Sequence, residues 1–242
     1  MHPRLQGLRF RPRLWAFALS LAVCAAGVSL GNWQSGRAEG KRALAERLAQ
    51  AARAAPHPVP ASPAASETLL LRRLGARGEF LPQFTVLLDN KVYRGRPGYF
   101  VVTPLRLAGG KQPVLVNRGW IAAAARREDL PDPKTPPGEV TVEGFGLAHP
   151  PRVLDAGGGP QRGRVRQSLA LQAFAQETGL ALQPVFLEQH SGLDDGLVRD
   201  WPAADFGIQK HEGYAIQWYL LAALSMVLFF VLSVRRDRPA SS

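Results

Sequence analysis

Only one cysteine, Cys24, occurs in 242 residues, so the chain has no internal disulfide framework and no Cys-rich metal or iron–sulfur site. The five histidines, His2, His57, His149, His190 and His211, are scattered, with neither an HExxH helix nor paired ligand spacing. That argues against a zinc enzyme. The sequence also lacks a GxSxG elbow, a phosphate-binding loop and a glycine fingerprint following a strand, so the common hydrolase and nucleotide-binding classes find no foothold. Acidic residues are missing from residues 1–13, which carry four arginines, and scarce in residues 235–242, with three arginines against one aspartate. These tails supply +6 of the formal net charge of +11. The basic excess belongs largely to the ends and does not describe a nucleic-acid-binding face.

What the chain does have is two long apolar runs. Leu14 to Leu30 is 17 residues without a charge, at the short end for a bilayer-crossing helix; Tyr214 to Val234 is 21 such residues. The first run exceeds the usual h-region of a cleaved signal peptide and has no clean small-x-small cleavage site. Bulky Val23 before Cys24 does not suit a lipoprotein signal. Both runs are therefore read as retained spans, 14–31 and 214–234. Arg4, Arg9, Arg11 and Arg13 precede the first, and Arg235, Arg236 and Arg238 follow the second. The positive-inside rule then puts both tails, 1–13 and 235–242, in the cytoplasm and residues 32–213 on the far side. That extracytoplasmic segment of about 180 residues is of ordinary single-domain size.

Within it, 33–55 reads as a helical stem, with Leu44, Leu48 and Ala51/Ala52 at helical spacing, broken at Pro56. Residues 56–63 are Pro-rich and read as a stiff linker. The β-rich part, 64–206, predicts strands at 72–80, 84–88, 91–94, 98–104, 114–117, 139–145 and 184–189. Turns are placed at Asp89-Asn90 and Gly109-Gly110, and loops at 131–138 and 157–163. Ser168 is placed as the cap of a helix over 169–178 that stops at Gly179. The fold class is α+β: two transmembrane helices flanking a mainly antiparallel, barrel-like β domain with one or two helices.

Three local patterns invite chemistry. Asp194-Asp195 is a carboxylate pair, but neighbours on a loop rarely converge, and a solvated turn is the better reading. Arg162-Gly163-Arg164-Val165-Arg166 has no interleaved aromatics and reads as a polar strand face. At the outer membrane boundary, Trp33, Arg37 and Lys41 lie at i, i+4 and i+8, and His211, Tyr214 and Trp218 at i, i+3 and i+7. Each set shares a helical face. Interfacial belts of Trp and Tyr with snorkelling cations give the same pattern in any membrane protein, so spacing alone does not assign a ligand.

In chain order, Gly31-Asn32-Trp33-Gln34 with Arg37 and Lys41, Gly78-Glu79-Phe80, Gly98-Tyr99-Phe100-Val101-Val102-Thr103-Pro104-Leu105 and Val114-Leu115-Val116-Asn117-Arg118-Gly119-Trp120 are followed by His211-Glu212-Gly213-Tyr214-Ala215-Ile216-Gln217-Trp218. This series, from about residue 30 to residue 220, resembles the Surfeit-locus-one family of cytochrome c oxidase assembly proteins, in its bacterial form. One departure is Lys210, where the family often has Asn before the histidine. Residues 150–163 and the Pro-rich segment look individual to this chain.

The resemblance implies a non-enzymatic assembly factor of the bacterial inner membrane that binds haem a and aids its insertion into the oxidase catalytic subunit. That subunit, the bilayer and, as a further candidate, a haem a synthase are the implied partners; nucleic acid is not. His211 becomes the candidate axial ligand of the haem iron. Trp33, Tyr214 and Trp218 become candidates to flank the macrocycle, and Arg37 and Lys41 to pair propionates. Gly31, Gln34, Gly98, Pro104, Asn117, Arg118, Gly119, Trp120 and Gln217 complete the motif set. Structural roles are preferred for Gly98, Pro104 and 117–120, with a partner or propionate as the alternative for Arg118. Two competing readings are a scaffold that grips an oxidase subunit without haem and a membrane-anchored periplasmic hydrolase. The hydrolase is disfavoured because no nucleophile–base pair can be assembled.

Overall fold

The computed structural model describes residues 8–126, 128–149, 163–201 and 205–236. Arg4, residues 150–162 with most of the loop expected at 157–163, and Arg238 lie outside them. The chain divides into two compact units, residues 1–47 with 203–242, and 48–202.

The first unit is a helix pair. β1 (Leu8–Phe10) leads into α1 (Leu14–Arg53), and α4 (Ile208–Ser233) runs into β10 (Val234–Arg236). Proline sets both limits of α1: Pro12 lies just before it, and Pro56 prevents its continuation. Among the described residues two helices, α1 and α4, are long and apolar enough to cross a membrane, which supports membrane anchoring. They pack through small residues. A Cβ on Gly27 would lie 2.9 Å from the Ala222 Cβ, and one on Gly31 would lie 2.4 Å from the Tyr219 ring. Gly27 and Gly31, four apart on one face, let the helices approach closely where hydrocarbon offers no hydrophobic drive for association. The Ser20 hydroxyl donates to the Ser225 carbonyl at 2.8 Å in the same seam. β1 and β10 pair antiparallel, tying together the ends of the two helices.

The second unit is a barrel. Its remaining elements are β2 (His57–Pro58), α2 (Ser66–Leu69), β3 (Arg73–Phe80), β4 (Val86–Tyr93), β5 (Arg96–Leu107), β6 (Val114–Ala122), β7 (Glu139–Leu147), β8 (Val165–Arg166), α3 (Leu171–Thr178) and β9 (Phe186–Gln189). The order β2-β3-β7-β9-β6-β5-β4-β8 is closed by an extra β3–β5 pairing, so β3, β7, β9, β6 and β5 form a ring. Closure removes the ring's free edges. Within the ring only β6–β9 is parallel. β6 is buried on both faces: Val114 and Val116 join the cluster with Leu74, Phe80, Leu105 and Leu187, while Leu115 packs with Phe174 of α3 and Phe186.

The structure corrects several local expectations. The segments read as strands at 84–88 and 91–94 are one strand, β4, with a register shift between Leu88 and Lys91. Asp89-Asn90 is therefore a bulge, with Asn90 at φ 61°, and the hairpin turns at Arg94 and Gly95, both at positive φ. Helix α3 is capped at Ala170 without a side-chain bond and not at Ser168. It ends at Gly179 as predicted, and that residue is left-handed at φ 71°. The Pro-rich segment is tied to the sheet: His57 and Pro58 pair with Leu74 and Gly75, and the buried Gln183 amide donates to the Pro60 and Ser62 carbonyls. Arg166 is 5% exposed against Glu177 and the Phe174 ring, so it does not stand on a solvated strand face.

Candidate functional site

The motif residues fall into two arrangements, one in each unit. In the helix pair, α1 carries Trp33, Gln34, Arg37 and Lys41, and α4 carries His211, Tyr214, Gln217 and Trp218. Successive buried positions Gly31 and Ala38 put Gln34, between them, on the face of α1 that meets α4. His211 lies one turn before buried Ala215 on the opposing face. The two half-buried side chains meet there, with His211 Nδ1 2.7 Å from Gln34 Oε1. A carbonyl oxygen only accepts, so Nδ1 is the donor in this contact, which in a neutral imidazole leaves the lone pair on Nε2.

Around this contact, Glu212 pairs with Arg42 on the surface. Arg37 lies over the Trp33 ring, 5.8 Å from its centroid, so it turns to the aromatic and not to the histidine. Lys41 lies close to Gly207, the residue before α4, whose added Cβ would be 3.8 Å from its ammonium nitrogen. Trp33 and Tyr214 are more than half exposed, Gln217 is exposed and Trp218 is half-buried. Gly31 gives its space to Tyr219, whose hydroxyl donates to Asn32 Oδ1 at 2.8 Å. The two candidate faces are thus joined by Gln34, and the Trp33 and Tyr214 rings beside it are exposed.

In the β unit the motif residues build structure. Gly98 lies where a Cβ would be 2.2 Å from the Ile121 carbonyl oxygen, and Gly119 sits at φ 146° against the Val198 carbonyl. Trp120 is buried, its indole N–H donating to the Lys91 carbonyl at 2.9 Å. Pro104 is buried in β5, and its carbonyl accepts from Leu81. Asn117 is buried with neither amide atom hydrogen-bonded among the described residues.

Arg118 is fully buried over the Phe80 ring. It donates to Thr135 Oγ1, the Lys134 carbonyl and, at 3.0 Å, Asp195 Oδ2. Arg199 reaches the same Asp195 oxygen at 2.5 Å. Burial lowers the Arg118 pKa and Asp195 opposes the shift. Two expectations are corrected here. Asp195 is not on a solvated turn, because a guanidinium inside the barrel requires a carboxylate beside it. Arg118, for its part, has no exposed atom to offer a partner or a propionate.

Sequence reasoning singled out Gln34 as a motif residue but not as the partner of His211, 177 positions away. The signal available was its place between Gly31 and Ala38 on one helical face. Gly27 carried a similar signal, as the first of two glycines four apart in an apolar run.

The sequence model of the SURF1 family matches residues 21–223. The chain is 25% identical to Surfeit locus protein 1 of Takifugu rubripes, over 89% of this chain and 96% of that protein. It is 26% identical to Surfeit locus protein 1 of Mus musculus, over 89% and 75% respectively. An uncharacterized SURF1-like protein of Mycobacterium bovis is 29% identical over 69% of this chain and 62% of its own length. The match spans both apolar helices' inner portions and the whole barrel, and with it this chain belongs to the SURF1 family.

Proposed function

We propose that this protein is a non-enzymatic assembly factor for haem–copper cytochrome c oxidase, carrying haem a as cargo on His211 and releasing it to the catalytic subunit. The observation that carries the reading is the Gln34–His211 contact. A neutral imidazole fixed by Nδ1 offers Nε2 as a ligand to iron, the arrangement that hydrogen-bonded partners impose on metal-binding histidines. Exposed Trp33 and Tyr214 beside it are surfaces on which a macrocycle can stack. Arg37 and Lys41 are within the same turns of α1 and suit propionates, each pair contributing about 1 kcal/mol or less under solvent screening. A haem a synthase is the natural supplier and the oxidase subunit the natural acceptor. In this reading the helices sit in a bacterial inner membrane with both termini cytoplasmic and the barrel outside.

The test is the visible spectrum of the full chain purified from a host that makes haem a. A Soret band in wild type that disappears in His211→Ala, at equal protein yield, supports the reading. A colourless wild-type protein that still co-purifies with oxidase overturns the haem step and leaves a scaffold. Orientation is checked separately: a reporter fused after Arg238 should be active only in the cytoplasm, and one inserted near Gly158 only outside.

A further inference from the structure

The far end of the helix pair holds a feature that the reading above does not use. Between the start of α1 and the end of α4 lies an apolar cleft of about 460 Å³, within the range of small-molecule sites. Leu19 and Val23 line it from α1, Leu228 and Phe229 from α4, and Arg11 and Arg13 from the segment where the chain enters α1. From Arg13 to Val23 the helix rises about 15 Å, half the thickness of a hydrocarbon core of about 30 Å. The cleft therefore has the depth of one leaflet, with its cations at one end.

Its shape is held from several sides. The Ser20–Ser225 hydrogen bond closes the helices together and satisfies the hydroxyl, so the lining stays apolar. Phe229 is fixed by ring contacts with Phe10 and Phe17, at centroid distances of 6.3 and 5.3 Å. The β1–β10 ribbon and the Arg11 N–H to Ser233 carbonyl bond, 2.8 Å, hold the mouth.

The charge there is one-sided. No acidic residue occurs between Met1 and Ala38 or between Gly213 and Arg236. Arg11 and Arg13 have no ion-pair partner among the described residues. Guanidinium groups at the edge of hydrocarbon favour an anion beside them, and phosphate accepts their paired N–H groups well. Two cations at the head of a leaflet-deep apolar trough match an amphiphile with an anionic phosphate and a long chain. The geometry points to a binding site for an anionic phospholipid, its phosphate on Arg11 and Arg13 and one acyl chain along Leu19, Val23, Leu228 and Phe229. This site stands whether or not His211 carries haem.

The experiment uses the full chain in detergent and native mass spectrometry, with phosphatidylglycerol or phosphatidylcholine of identical chains added. Wild type should retain phosphatidylglycerol over phosphatidylcholine by about thirty-fold, the size expected of two arginines at a membrane surface. The double variant R11Q/R13Q should lose that preference, and Arg47→Gln should keep it. Val23→Trp, which fills the trough, should lower retention of both lipids. Inorganic phosphate at the same concentration should not displace phosphatidylglycerol, because it gains nothing from the trough. Equal retention of the two lipids by wild type overturns the proposal, as does an unchanged preference in R11Q/R13Q or full retention in Val23→Trp. Displacement by inorganic phosphate also overturns it, leaving a simple anion site. Equal far-ultraviolet helix signal across the variants confirms that they are folded.

Discussion

The Gln34–His211 contact in the helix pair and the Arg118–Asp195–Arg199 cluster in the barrel are both made from family motif residues and their partners. They differ in what they leave over. Asp195 is fully buried and accepts from two guanidiniums and the Leu197 N–H, with both arginines at 9% exposure or less and the Nε of each left without a hydrogen bond among the described residues. Every charge in that cluster is committed to holding the barrel. His211 and Gln34 are only half-buried, and one hydrogen bond uses one ring nitrogen. The other nitrogen stays available. A polar group spends its capacity on the fold when sealed, and keeps some for a ligand when it sits at an open seam.

The widest separation between the two should come from Asp195→Ala. Leaving two buried guanidiniums without their carboxylate should cost about 3–5 kcal/mol of stability, read as a lowered unfolding midpoint of the full chain in detergent. Haem content per folded molecule should not move. A variant with wild-type stability would show that the cluster is not sealed in the way described. His211→Ala should do the reverse, removing most haem while shifting stability by about 0.5 kcal/mol or less. A matched loss of stability would make His211 another structural residue.

Smaller effects sharpen the contrast further. Gln34→Leu should weaken haem retention about tenfold, the usual scale for a residue that orients a metal-binding histidine. The same variant should also change the ligand-field bands of whatever haem remains, which a general packing defect would not do. Arg37→Gln should weaken retention by about fivefold or less, since a screened pair contributes about 1 kcal/mol at most.

The smallest effect is a pH slope. Burial lowers the Lys91 pKa below the ordinary lysine value. Between the folded and the ordinary value the unfolded chain binds more protons, so this lysine makes stability rise with pH across that window; below it, its buried charge is a standing cost. Wild type measured against Lys91→Met should therefore gain relative stability as pH increases toward the ordinary lysine range. A difference that stays flat or falls with pH would contradict the assignment.

Much of the fold could be read before the structure because its causes are local. Residues 139–143 alternate polar and β-branched side chains and lie in β7; Gly179 ends α3 because it takes the left-handed turn there without steric cost. Uncharged runs mark the apolar parts of α1 and α4, and each helix continues into charged residues, to Arg53 and back to Ile208. Local signals also misled. Asp89-Asn90 has turn chemistry, yet the strand continues through it as a bulge, because pairing with β5 on both sides outweighs the local preference. For the site, the sequence supplied His211 and the aromatic and basic residues near it, since these lie on helical faces that spacing reveals.

The sequence by itself determined most of the helix and strand segments, which runs are apolar enough to cross a membrane and which residue types are on hand for chemistry. These follow from periodicity, capping and charge within a few turns of chain. Tertiary structure alone decided what each polar group faces. Gly27 and Gly31 allow α1 and α4 to touch, and that contact brings Gln34 to His211. Barrel closure likewise carries Arg118 inward to Asp195, 77 residues on, and removes both from solvent. Partners so far apart in the chain are chosen by packing, and no periodicity in the sequence encodes the distance between them.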